Sequence, residues 1–164
     1  MQGAHFRSVP SPSMKVVMSK IDRKSAMSKA DIEALLAKEF PQAFHPGSGL
    51  SIESVGFGEA AVRQSYLERL IRPGGTISGP TMMALSDFAM YVAVFAAAGP
   101  VPLAVTTSLN INFLRKPAQA DLVAHARLLK HGKRLVVGEV EIFSTGSDEP
   151  VAHVTATYSI PPAG

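Results

Sequence analysis

RPGGTISGPTMMALSDFAMYVAVFAAAGP, residues 72–100, decides the fold. Its first nine residues hold three glycines and two prolines, the sharpest break in the chain, and a helix is expected to start at its end. Pro80 suits the first helical position, because its missing N–H would have had no intrahelical partner, and Gly79 serves as the cap before it. Thr81 to Ala98 is then apolar nearly all the way round, until Gly99 and Pro100 stop it. A helix without a polar face belongs inside a fold rather than on its surface. Asp87 is the only carboxylate, Lys, Arg or His in that run, and its neighbours at helical spacing are Met83, Met90 and Tyr91. Burying a carboxylate is costly unless something compensates. The favoured reading is a functional carboxylate in a cleft, its basicity tuned by desolvation; the other is a hydrogen-bonded structural role.

Downstream of this stretch the period changes to two. Leu103, Val105, Thr107, Leu109, Ile111 and Phe113 share one face, and Thr106, Ser108, Asn110 and Asn112 share the other, as in a half-buried strand. Further strands are expected over 121–130, 134–144 and 151–160, joined by short polar or Gly-containing links in an antiparallel meander. Upstream, SKAD at Ser28 has the spacing of a capping box, and Ile32, Leu35, Leu36 and Phe40 recur at helical intervals before Pro41. A loop over 41–49 precedes a strand over 50–57, whereas 59–71 fits either period. The architecture is α+β: one buried helix against a curled antiparallel sheet. Residues 1–27, with SVPSPS, a basic run and alternative starts at Met14, Met18 and Met27, read as a flexible leader, and 28–164 as a single domain.

Composition narrows the function. The chain has 164 residues and no cysteine, which removes disulfides, thiolate zinc sites and cysteine nucleophiles. A net charge of +3 suits an anionic small molecule at least as well as nucleic acid, whose binders usually carry denser basic clusters with interleaved aromatics. Such clusters are small here: Arg115 and Lys116 close one strand, and Lys130, His131, Lys133 and Arg134 surround a hairpin, readable either as solvated turns or as sites for the phosphates of a nucleotide-like ligand. The histidines at 5, 45, 125, 131 and 153 include no pair at helical metal-ligand spacing, so no metal is expected. GTISG is not the GxSxG of a serine hydrolase, which leaves Ser78 as a turn residue, and GFGEAA at 56–61 matches a dinucleotide pattern too loosely to carry weight. The longest apolar stretch, Phe88 to Ala98, is 11 residues, against about 20 for a membrane span, so a soluble cytoplasmic protein without membrane contact is expected. Finally, the Gly79–Thr81 turn presents free N–H groups at the positive end of a helix dipole, able to stabilise an oxyanion. Asp87 lies about 10–12 Å further along the helix, so it cannot touch the cap itself, but a substrate carbonyl could lie between helices of a closely packed dimer.

Asp87, the SGP turn, the buried helix and the meander together resemble the hot-dog-fold acyl-CoA thioesterases, particularly the group of the phenylacetate-degradation thioesterase, over roughly residues 50–160. That group carries Asn-Pro-x-Gly-x-x-His-Gly-Gly ahead of Leu-x-Asp-x-Ala, its His nine residues before its Asp. Here Arg72-Pro73-Gly74-Gly75-Thr76-Ile77-Ser78-Gly79-Pro80 precedes Leu85-Ser86-Asp87-Phe88-Ala89 at the same spacing. The resemblance implies a long helix wrapped by a curled sheet, and Asp87 as general base or nucleophile. It also implies Gly79 N–H as the carbonyl-polarising donor from the other subunit of a homodimer or dimer of dimers, with no cofactor because coenzyme A belongs to the substrate. Tyr91, one turn past Asp87, stands where related enzymes can carry a residue that orients the attacking water, which makes its hydroxyl a candidate for that role; the favoured reading is a packed aromatic. Coenzyme A phosphates are expected on Arg115 and Lys116, with Lys130, Lys133 and Arg134 further contributors, and the acyl group on Met82, Met83, Phe57 and Phe88. Arg72 stands in place of Asn or Gln, Ser78 in place of His and Pro80 in place of the second Gly; an Arg near the carboxylate would lower its pKa and make it a weaker base, or could instead bind a carboxylate on the acyl group. The alternatives are a non-catalytic acyl-CoA binder or sensor and a hot-dog dehydratase or hydratase, which would rely on a His paired with an acid.

Overall fold

A computed structural model describes residues 23–162. The leader predicted over 1–27 therefore lies almost wholly outside the described residues. Within them, Ser25 Oγ and Ala26 N both donate to Ala96 O, at 3.0 and 2.8 Å. Helix α1, Lys29–Glu39, starts on the capping box expected of SKAD: the Ser28 hydroxyl accepts from Asp31 N while the Asp31 carboxylate accepts from Ser28 N. Ile32 and Leu36 are its buried residues, so it lies on the core by one narrow stripe.

Eight strands follow: β1 Leu50–Gly56, β2 Glu59–Gln64, β3 Ile71–Arg72, β4 Thr76–Ile77, β5 Val105–Phe113, β6 Leu122–His131, β7 Leu135–Ser144 and β8 Pro150–Ser159. The ambiguous 59–71 stretch resolves as β2, a turn of 3-10 helix over Glu68–Leu70, and β3. β2 wins over helix because its residues pair on both sides, with β1 and with β6. The Gly-rich break closes a two-strand hairpin, β3 with β4, across Gly74 and Gly75, both at positive φ. GFGEAA is a hairpin turn between β1 and β2, with Gly58 at φ 67°, rather than a nucleotide loop.

The remaining six strands form one antiparallel sheet in the order β1-β2-β6-β7-β8-β5. Helix α2, Gly79–Ala98, packs into its concave face, chiefly on β2, β6 and β7. The helix begins two residues earlier than the apolar run, with Ser78 rather than Gly79 as N-cap and Pro80 in the first turn. It is long and apolar enough to cross a membrane by length and composition, yet Leu85, Ala89, Met90, Val92, Ala93 and Phe95 are all within 1% of full burial inside the sheet. One glycine permits this approach: a Cβ on Gly138 of β7 would meet Met90 Sδ and Cε at 2.6 Å. The architecture is the hot-dog arrangement, a helix wrapped by a curled sheet.

β5 departs from its expected alternation. A bulge between Thr106 and Ser108 sets Thr106 opposite Tyr158 but Leu109 opposite Ala156. Thr106 thereby shares the helix-facing side with Leu109 and Ile111, instead of the outward side with Ser108 and Asn110.

Candidate active site

Asp87 sits in the middle of α2 at the one flank that the sheet does not seal, partly exposed in a cavity of about 710 Å³. The wall comprises Phe88 and Tyr91 of α2, Phe40 after α1, Thr106 of β5 and Tyr158 of β8. Two hydroxyls converge on one carboxylate oxygen: Tyr158 Oη donates to Asp87 Oδ1 at 2.7 Å and Thr106 Oγ1 donates to the same atom at 2.5 Å. Tyr158 Oη also lies 2.8 Å from the Asp87 main-chain oxygen. Among the described residues Oδ2 accepts no hydrogen bond. Burial first, and then the Asp87 charge, pushes the Tyr158 phenol far above its ordinary range, so it stays a donor at any working pH.

Aromatic contacts shape the apolar end of the cavity. Phe44 stacks on Phe88 with centroids 5.8 Å apart, and Phe40 meets the Tyr91 ring edge-on at 6.4 Å. The Tyr91 hydroxyl donates to Pro102 O at 2.6 Å, so its proton is already engaged on the loop before β5. Burial and the Glu39 charge raise its pKa. Polar groups ring the mouth, among them His45 and Arg69. His45 does not hydrogen-bond Asp87; its Nδ1 accepts from Gly47 N at 3.2 Å, so the His–acid pair of a dehydratase is not formed among the described residues.

Gly79 opens on a different cavity, of about 700 Å³, shared with Arg72, Ser78, Met82, Phe113, Arg115 and Lys116. Ser78 caps the helix through its hydroxyl, which accepts from Thr81 N at 3.3 Å. Gly79 N–H, at the first helical position, has no acceptor among the described residues and points its dipole outward. A side chain at this position would crowd Phe113, whose Cζ lies 3.1 Å from an added Cβ. Arg115 is engaged with Glu149 at 2.8 Å and with Pro150 O, while Arg72 and Lys116 make no ion pair among the described residues.

The chain thus divides the residues expected from sequence. Asp87, Phe88 and Tyr91 share one cavity; Gly79, Ser78, Arg72, Met82, Arg115 and Lys116 share another. Lys133 and Arg134 line a third hollow with Pro100–Leu103 and Ile160, which touches the Asp87 cavity only at Pro102. Met83 is exposed on α2 outside all three, Lys130 lies outside them too, and Phe57 sits at the β1–β2 turn against His131 and beneath Arg23, not at the Asp87 cavity. No group of three His, Asp or Glu among the described residues is placed to hold a metal ion. Thr106 and Tyr158 escaped the sequence reading. Thr106 was hidden by the bulge, but Tyr158 left a trace: in VTATY it falls on the inward parity with Val154 and Ala156, and a buried phenol needs an acceptor.

A family model described as the thioesterase superfamily matches residues 74–151, from the glycine turn to the start of β8. A Saccharolobus solfataricus protein named as an esterase is 29% identical over 100 residues, which are 61% of this chain and 66% of that one; the chain spans just under two thirds of this relative. A structure from Silicibacter sp. TM1040, named as a thioesterase, is 42% identical and superposes with a TM-score of 0.75 over 85% of this chain and 95% of its own. A variant of the phenylacetic acid degradation protein PaaI from Thermus thermophilus is 27% identical, with a TM-score of 0.62 over 69% of this chain and 94% of its own.

Proposed function

The chain belongs to the thioesterase superfamily, a family of hydrolases, and on that premise we propose that it hydrolyses an acyl-coenzyme A thioester with Asp87 as the reactive carboxylate. The observation that carries this reading is a carboxylate on the buried helix with Oδ1 held by two hydroxyls and Oδ2 left free in an aromatic cavity. A free carboxylate oxygen serves either route. As general base it takes a proton from water while the water oxygen bonds to the acyl carbon, the C–S bond breaks and the thiolate leaves as coenzyme A. As nucleophile, its oxygen displaces the thiolate to form a mixed anhydride, which water then cleaves. Either way the carbonyl oxygen gains negative charge, and Gly79 N–H is the free donor for it. The chemistry uses only side chains and main chain, without metal or redox cofactor.

Asp87 and Gly79 are eight residues apart on α2, about 12 Å by helical rise, and open on separate cavities, so both act at the same thioester carbonyl only if they come from different chains. The proposed enzyme is therefore a homodimer, alone or as a dimer of dimers. β5 supports this pairing: it ends the sheet with one flank unpaired, its nine residues VTTSLNINF contain no proline or charge to protect the edge, and Val105 and Phe113 are more than half exposed. Coenzyme A would lay its phosphates on Lys116, Arg115 and Arg72 beside Gly79, and the acyl group would enter the Phe88, Tyr91 and Phe40 end of the partner's cavity. A cytoplasmic location, where coenzyme A thioesters circulate, goes with the reading.

Thiol release measured with DTNB over aromatic and aliphatic acyl-CoAs tests it. Turnover should be found on at least one class, and Asp87→Asn should lower kcat by about 100-fold or more with the fold intact. Tight binding of acyl-CoA without thiol release would establish a binding protein instead, and wild-type turnover in Asp87→Asn would remove the carboxylate from the mechanism.

A further inference from the structure

We propose that Tyr158 is a positioning residue that selects Oδ2 of Asp87 as the reacting oxygen, by bridging the main-chain oxygen and Oδ1 of that one residue. The proposal rests on Asp87 being the reactive carboxylate. An aspartate on a helix has several staggered χ1 wells, and rotation about χ2 exchanges its two oxygens, so a carboxylate without directed hydrogen bonds offers either oxygen in several directions. Tyr158 removes that freedom. Its hydroxyl lies 2.8 Å from Asp87 O and 2.7 Å from Asp87 Oδ1, a bridge that only one side-chain orientation satisfies.

The bridge is rigid for three reasons. Tyr158 is 2% exposed and its ring packs against Tyr91 at 6.2 Å. Its strand is flanked on both sides, by β7 and by β5. Thr106, directly opposite Tyr158 in the register, adds the second donor to Oδ1 from the neighbouring strand. The Asp87 main-chain oxygen lies mid-helix, where the helical ladder already provides a donor, so the tyrosine is not needed to satisfy it. What the hydroxyl adds is the orientation of the carboxylate. Burial keeps this phenol protonated, so the donor is present throughout the pH range of the reaction.

A double-mutant cycle on the full chain tests the assignment, with kcat, KM and Tm measured for Tyr158→Phe, Asp87→Asn and the pair. Tyr158→Phe should lower kcat by about 10- to 100-fold, the size of effect expected when a reacting group is misplaced, and change KM by less than about threefold. In the Asp87→Asn background it should cost no further activity. Equal fractional losses in both backgrounds, or unchanged kcat in Tyr158→Phe, would overturn the proposal. Should the phenylalanine variant fold poorly, Thr106→Val removes the other donor to Oδ1 from an exposed site and should lower kcat in the same Asp87-dependent way; unchanged kcat there would count against it equally. Loss of activity in Asp87→Asn with normal turnover in Tyr158→Phe would overturn this inference alone, whereas wild-type turnover in Asp87→Asn would end both it and the proposed function.

Discussion

Single residues differ in how openly they announce themselves. Asp87 stood out in the sequence as the one carboxylate in an apolar helix, readable as a functional group in a cleft or as a hydrogen-bonded structural one, and the structure gives it two hydroxyl partners and a cavity. Glu139 was not legible, because a charge at an outward strand position is ordinary. Its environment is nonetheless specific: burial raises its pKa, but bonds from Arg127 Nε, at 2.6 Å, and from His153 outweigh burial and hold the carboxyl below its usual value. A depressed carboxylate stabilises the fold above its unfolded pKa of about 4.3 and loses that contribution as the pH falls through the folded value. Glu139→Gln should therefore lower Tm at pH 7, and the gap from wild type should close as the pH is taken below about 4 in a series of thermal melts. A gap independent of pH would assign the effect to packing instead.

At the scale of elements, the strong periodicities were read correctly and the exceptions were local. α1 and the β6–β8 meander follow from spacing, and α2 from the Gly- and Pro-rich breaks that bound an apolar run. The 59–71 stretch did not, because β2 owes its conformation to β1 and β6 on either side, which no window within it can reveal. Thr106 was placed on the wrong face for a related reason: a bulge is one residue of backbone geometry, and it reverses the parity of every side chain on one side of it. Gly138 shows how tightly these elements fit. With Met90 Sδ at 2.6 Å and Arg127 O at 2.8 Å from a Cβ placed there, Gly138→Ala must shift β7 or the helix. A loss of about 1–3 kcal/mol in chemical denaturation is expected, as for other overpacked cores. An unchanged midpoint would mean that Met90 and the β6 main chain at Arg127 O both give way without cost.

For the whole molecule, sequence placed Gly79 and Asp87 too far apart on one helix to act at the same carbonyl, and the structure adds that each opens on its own cavity. Complementation follows from the proposed dimer. Asp87→Asn and Gly79→Pro, which deletes the donor N–H at the first helical position and presses its ring on the Phe113 side chain, should each be inactive; refolded together at equal concentration they should recover about a quarter of wild-type activity, from one intact site in each mixed dimer. No recovery in demonstrably mixed dimers would place both groups in the same chain's site. The ends of α2 also matter beyond catalysis. Ala96 O belongs to the last turn, whose carbonyls lack helical donors, and Ser25 and Ala26 supply them. Removing the residues ahead of Met27 would take both donors away, leaving the final turn of the central rod unclasped and free to fray.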